Sequence, residues 1–442
     1  MESNYVSLYD ISIATLWLII FLFIANSRAR KVDASIRKYY IRNVIFKFFF
    51  AISFGVVYLV YYGGGDTTAY WDGAVTLNNL FINSPSLYFE NLISEPSSEI
   101  FSEHFSVDTG YPPSWLFKEP EAWFICKVAS VVSFITFKSY FAGTMFFAFL
   151  TAMASWRVFE LIVKLGTHKT NIAALCILFV PSVSFWCTGI SKDSVVFISI
   201  LNLLYFVFNI MVLRNAIKLK HVLIILISIF LIYHVRSFIL AAIAAPIFMS
   251  FGARLTKRYE KQFLTKLLFR SFIFLGGIFL FVQFFSSSFS AEMVAEAELV
   301  QSDFTENQTY TGKRYEISNT DASPAGLIRA IPESVFYGIY RPFIYESFSP
   351  TLIVNGIESL VLMILTIRFF FSRDLFSKIK YIRKEEILVF ALIFALFIAF
   401  MSGFTSVLFG VLVRIRAPLL PFFFLVLSAN VVLIENRNNA EK

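Results

Sequence analysis

What most restricts the folding of this chain is a repeated feature. From one end to the other it carries apolar runs close to the roughly 20 residues that a helix needs to cross a bilayer. A water-soluble fold would have to bury all of these runs and still cover itself with polar side chains. The chain lacks those side chains: 57% of residues are hydrophobic and only 15% are charged, against about 25% charged in ordinary soluble domains. A soluble enzyme, a disulfide-stapled secreted scaffold and a disordered chain are therefore excluded. The 442 residues read as one all-α polytopic membrane domain, 1–442.

The runs lie at about 8–26, 45–62, 140–163, 171–187, 194–213, 221–234, 237–252, 270–286, 350–370, 386–402 and 417–434, about eleven transmembrane helices in all. The run at 122–137 is left out, because a helix of its sixteen residues reaches only about 24 Å. It is expected to lie on the membrane as an external helix. The net charge of +8 would suggest a nucleic-acid partner in a soluble chain. Here the cations sit between apolar runs, as in cytoplasmic loops, and no nucleic acid is expected. Arg28, Arg30, Lys31, Arg37, Lys38, Arg42 and Lys47 follow the first run. Lys164 and Lys169, then Arg214, Lys218 and Lys220, then Arg254 to Arg270, then Arg373 to Lys384 mark the later inside loops. This bias orients the chain N-out and C-in, with the 435–442 tail inside. The large external segments are then 63–138, including the interfacial helix, and 287–349. Acidic Glu2 and Asp10 precede the first run where a cleaved leader would be basic, so it reads as a retained span. Cys126, Cys176 and Cys187 form no CxxC pair and have no histidine at ligand spacing, which supports neither a zinc site nor a disulfide framework.

Ionisable residues at membrane depth are expensive and point to function. Five clusters fall on the external side. Gly63-Gly64-Gly65 lets the chain turn at a span exit and places Asp66 at the outer interface, with Tyr70 one helical turn on. A carboxylate there can act as a general base towards an incoming hydroxyl. Pro181 to Asp193 joins two spans and sets Lys192 and Asp193 at the start of the second. His234-Val235-Arg236 lies between two short runs. A run of about 14 residues cannot cross as a helix, so a broken element lining a cavity is expected, with Arg236 as an anion clamp. Tyr340 to Glu346 combines Arg341, a proline, aromatics and Glu346, a set that can close over a sugar, and Glu358 follows in the next span. Arg414 and Arg416 stand outside just before the last span, against the positive-inside rule, which an anionic ligand would compensate. No P-loop, HExxH, GxSxG or EF-hand pattern is present, and the Asn307-Gln308-Thr309 triplet needs no role.

At these residues the chain resembles the integral-membrane GT-C glycosyltransferases, of the bacterial surface-polysaccharide transferase and polymerase type. Asp66 with Tyr70 is similar to the acid and nearby tyrosine of that superfamily's first external loop, although Thr67 stands where many members carry Glu. Pro181 to Asp193 looks like its second-loop motif, and Arg414 to Pro421 looks like its arginine–proline segment before a closing span. The resemblance implies transfer of a sugar from a polyprenyl-phosphate or polyprenyl-diphosphate donor to a hydroxyl of a glycan, lipid or protein acceptor. The site would face the periplasm at the bacterial inner membrane. Asp66 would be the catalytic acid–base group. Lys192, Arg236, Arg414 and Arg416 would stabilise the departing phosphate, and Tyr70, Asp193, His234, Arg341 and Glu346 would complete the substrate site. The resemblance implies no definite cofactor, and a divalent cation could be held by Asp66 and Asp193. The closest rival is an O-antigen or exopolysaccharide polymerase joining lipid-linked repeat units. A lipid-linked-sugar flippase or transporter belongs to a different class, and its usual sign, paired repeats with matching broken helices, is absent from the sequence.

Overall fold

The computed structural model describes residues 5–258, a few positions between 262 and 276, Tyr315, and residues 324–347, 349–406 and 408–429. All regular elements among them are helices. In chain order these are α1 (Leu8–Ala29), α2 (Arg37–Val56, prolonged by a π turn, Val57–Tyr61), α3 (Asp66–Asn83), α4 (Pro85–Ile93), α5 (Ser98–His104), α6 (Pro120–Ile135), α7 (Tyr140–Leu165), α8 (Thr170–Leu178), α9 (Pro181–Trp186), α10 (Lys192–Met211), α11 (Leu219–Arg236) and α12 (Phe238–Arg258). After the undescribed stretch come α13 (Pro324–Tyr340), α14 (Pro350–Phe370), α15 (Leu375–Ile382), α16 (Glu386–Thr405), α17 (Phe409–Arg416) and α18 (Leu420–Leu427).

Among the described residues eight helices are long and apolar enough to cross a membrane: Leu8–Ala29, Arg37–Tyr61, Tyr140–Leu165, Lys192–Met211, Leu219–Arg236, Thr351–Phe370, Glu386–Thr405 and Phe409–Leu427. By helix length and composition this is a multi-pass membrane protein. Local chemistry starts these helices. Ser7 caps α1 by accepting from the Asp10 N–H, and Ser191 and Ser349 do the same for α10 and α14. Asp10 and Asp193 add a negative charge to their first turns, where the helix dipole favours it.

Several expectations need correction. The predicted span 171–187 is two short helices, α8 and α9, separated at Phe179-Val180 before Pro181, and neither can cross alone. The run at 221–234 is the interior of the 18-residue α11, so it is not too short to span. Its helix runs on through His234 to Arg236, and the C-terminal dipole end favours the Arg236 cation. The run at 237–252 is the first part of α12, whose apolar stretch, Phe238–Ser250, is short and contains Pro246. The last span begins at Phe409, so Arg414 and Arg416 lie inside it and not before it. Lys47 is no loop residue either. It is fully buried in α2 with Nζ donating to Ser184 Oγ at 2.7 Å, because α2 extends several residues beyond its apolar core. The expected span at 270–286, most of 287–349, Asn307-Gln308-Thr309 and the 435–442 tail lie outside the described residues.

The chain divides into two compact units. Unit 1 comprises Met1–Leu161 and Val183–Ser237. In it α3 packs along α6, with Gly73 against the Cys126 side chain, and α10 packs along α11. Tyr5 Oη donates to the Asp72 carboxylate at 2.8 Å, Tyr9 Oη to the Phe137 carbonyl at 3.0 Å and Ser139 Oγ to the Asp10 carbonyl at 3.3 Å. The start of α1, the α3–α6 segment and the start of α7 therefore share one end of the unit. α6 is 16 residues long and is not among the candidate spans. Unit 2 comprises Ile162–Ser182 and Phe238–Lys442. Its centre is α16, against which α12, α13 and α18 pack. Gly338 of α13 and Gly403 of α16 allow backbone-to-backbone approach: a Cβ on either would run into a carbonyl of the facing helix. Small residues serve this purpose between membrane helices, where there is no hydrophobic drive to associate.

Candidate functional site

The glycine run acts as read from the sequence. Gly63, Gly64 and Gly65 have φ of 68, 124 and 138°, values that disfavour any residue with a Cβ. They turn the chain from the π turn that ends α2 into α3, whose first residue is Asp66. Asp66 is half-buried, whereas Tyr70, one turn on, is buried with its ring 6.2 Å from Trp115.

Two aromatic rings connect this turn to the next cluster. A Cβ on Gly65 would lie 3.2 Å from the Tyr58 ring, and Tyr58 lies 4.5 Å from Phe54. Phe54 in turn packs on Phe185, Trp186 and the Gly189 backbone, so closely that a side chain at Gly189 would overlap the ring. Two residues past Gly189, Ser191 caps α10, and Lys192 and Asp193 form its first turn. The Asp66 turn and the Lys192-Asp193 turn thus stand at the same end of unit 1.

The ends of α11 and α6 complete the cluster. Arg236 Nη1 is 2.8 Å from Asp193 Oδ1, in a pair with 16% and 1% side-chain exposure. Lys192 Nζ lies 3.3 Å from Glu119 Oε2 and 3.5 Å from Glu121 Oε2. His234 is exposed; its Nδ1 is 2.9 Å from the Phe230 carbonyl, and its ring stacks on Phe124 of α6 at 4.9 Å. Lys192, Asp193, His234 and Arg236, two separate clusters in the sequence, are one cluster in the fold. Glu119, Glu121 and Phe124 belong to it and were not anticipated. A Glu-Pro-Glu helix start marks the acids locally, but nothing local points 73 residues ahead to Lys192.

The two ion pairs differ in how readily they open. The Lys192 partners are about half exposed, and pairs of that kind hold by only about 0–1 kcal/mol. An arriving anion can compete for Lys192. Asp193 and Arg236 are shielded from water, and separating them leaves an uncompensated charge. The donor set does not suit a divalent cation, since Asp193 is already engaged by Arg236. Among the described residues no group of three or more His, Cys, Asp or Glu side chains gathers as a metal site. Beside the cluster, burial pushes the Cys126 thiol up and the Lys127 ammonium down to about 8. Lys127 donates to the Leu92 and Ser94 carbonyls at the end of α4.

The remaining predicted residues lie in unit 2. Arg341 is 3.4 Å from Glu346, and its guanidinium is ringed by Tyr337 at 4.2 Å, Tyr315 at 5.3 Å, Phe343 at 5.8 Å and Phe409 at 5.9 Å. Glu346 also accepts from the Phe343 N–H at 2.8 Å. Arg416 is fully buried and donates to the carbonyls of Ile339, Arg341 and Asn355. It ties α17 to the ends of α13 and α14. Arg414 is half-buried. Glu358, buried in α14, accepts from the Ser182 N–H at 2.9 Å and from its hydroxyl, which satisfies a carboxylate at membrane depth.

Comparison with protein-family models, with curated proteins and with solved structures finds no match to this chain.

Proposed function

We propose that this protein is a membrane glycosyltransferase. It moves a sugar from a polyprenyl-phosphate or polyprenyl-diphosphate donor to an acceptor hydroxyl at the outer face of a bacterial inner membrane. One observation supports the reading above all: an acid at a glycine turn, Asp66, shares one end of an apolar helical unit with an exchangeable cation, Lys192, and a fixed one, Arg236. A donor of this class has an apolar tail, an anionic leaving group and a reacting carbon at the membrane surface, and needs those three features together.

In this mechanism Asp66 accepts the proton of the acceptor hydroxyl as its oxygen bonds to the anomeric carbon. The bond from that carbon to the phosphate oxygen breaks, and the phosphate leaves with the electron pair. Lys192 exchanges its half-exposed carboxylates for the phosphate, and Arg236, oriented by Asp193, adds a fixed positive field. Stabilising charge that grows in the transition state is usually the largest catalytic contribution. Arg416 is given no part in this step, because Nη1 and Nη2 already donate to three backbone carbonyls.

The test is a transfer assay in proteoliposomes, offering pooled lipid-linked oligosaccharides and polyprenyl-phosphate monosaccharides with mass-spectrometric detection. Wild type should add one sugar, and Asp66→Asn should lower the rate about 10²–10⁴-fold, the usual contribution of a general base. A ladder of repeat units lost in the same variant would reassign the site to a polymerase. No product from either donor, with folded protein, would reject transfer and leave transport.

A further inference from the structure

We infer that α15 is an interfacial helix that binds the anionic phospholipid headgroups of one bilayer leaflet. The helix joins two candidate spans, Thr351–Phe370 and Glu386–Thr405, so the 15 residues 371–385 must emerge and return at one membrane surface. One side of the segment is anchored to unit 2. Tyr381 and Ile382 are buried, and Tyr381 Oη donates to the Thr167 carbonyl at 3.0 Å. Lys378 Nζ donates to Ser372 Oγ at 2.9 Å and sits 5.6 Å above the Phe369 ring.

The other side has both halves of a headgroup-binding surface. Phe371 and Phe376 are each 86% exposed and Ile379 is 38% exposed, on a segment too polar to span. Around them Arg373, Lys380, Arg383 and Lys384 are exposed. Phe376, Ile379, Lys380 and Arg383 follow one another at helical spacing and form a mixed apolar and basic stripe. From 371 to 385 there are five cations, counting Lys378, against the two carboxylates of Asp374 and Glu385. Apolar residues immersed at the acyl boundary with cations at headgroup level are the features of a surface-lying amphipathic helix. A soluble partner would have to bind this stripe within the few ångströms that the lipid headgroups already fill. Anionic headgroups match its charge and position together.

The test uses full-length protein purified in uncharged detergent and incubated with equal amounts of phosphatidylglycerol and phosphatidylcholine, with bound lipids counted by native mass spectrometry. Wild type should retain phosphatidylglycerol in excess. Removing cations in R373Q/K380Q/R383Q/K384Q should bring the ratio towards one, with up to about a five-fold loss per cation. Phe371→Ser with Phe376→Ser should lower retention of both lipids and leave the ratio unchanged. Equal retention by wild type, or an unchanged ratio in the charge variant, would overturn the proposal and favour a soluble acidic partner. Should the quadruple variant not elute as a single species, Lys380→Gln and Arg383→Gln, at exposed positions, carry the same comparison. No sugar transfer enters the readout, so this proposal and the glycosyltransferase reading fail separately.

Discussion

Arg236 in unit 1 and Arg416 in unit 2 are both withdrawn from water, and they are held in opposite ways. Arg236 faces a carboxylate, Asp193, at the junction of two helix ends, and retains 16% exposure. Arg416 is completely enclosed and faces three backbone carbonyls. The first arrangement preserves a charge pair at a surface where a ligand can arrive. The second commits Nη1 and Nη2 to three backbone carbonyls, two of them at the C-terminal end of α13, where helix carbonyls lack intrahelical partners and are costly to leave unmet in an apolar interior. An arginine beside a span is thus as readily a bracket for backbone as a clamp for an anion, and its partners decide which.

Four variants would break or sharpen this contrast. Arg416→Met takes the donor from three carbonyls, each costing about 1–3 kcal/mol where it is left buried and unmet, and should lower the Tm in detergent. Arg416→Lys should restore only part, because an ammonium lacks the planar fork. An unchanged Tm with lost ligand binding would make Arg416 a clamp after all and remove the distinction. Asp193→Asn should cost about 1–3 kcal/mol by leaving Arg236 opposite a neutral amide. The double variant Asp193→Asn with Arg236→Met should recover much of that loss. A double-mutant cycle with no coupling would show that the pair is not what holds α10 to α11.

The smallest effect concerns Lys127, which like Arg416 serves carbonyls but sits in the α3–α6 segment. Burial lowers its folded-state pKa to about 8 from 10.5. The unfolded chain therefore holds more protons than the folded one between those values, and through this group stability should rise with pH across about pH 8 to 10.5. Lys127→Met should flatten that rise in a pH series of melting curves. A fall in wild-type stability relative to the variant over the window would contradict the assigned burial.

Much of the fold could be read from the runs themselves. Eight of the predicted spans correspond to helices of crossing length, since a stretch that must satisfy its backbone without water has little choice but helix. Lys192 and Asp193 read from the sequence as a span start, and the structure adds the reason, with Ser191 as the cap and Asp193 where the dipole favours it. The break within 170–186 was harder to read, because nothing apolar is missing from that run and only Pro181 marks it. Lys47 was misplaced for the complementary reason: a charge looks like a loop residue until the Ser184 hydroxyl that receives it is known.

By itself the sequence determined the class of this protein, the positions of most of its membrane helices and the residues that open them. Those features depend on neighbours within one or two helical turns and on the cost of exposing backbone to hydrocarbon. Only the tertiary structure decided that Lys192, Asp193, His234 and Arg236 join Glu119 and Glu121, and that Arg416 serves three carbonyls. Partners in contact across long sequence separations are set by how helices pack, and packing depends on shape as well as on the pattern of apolar and charged residues.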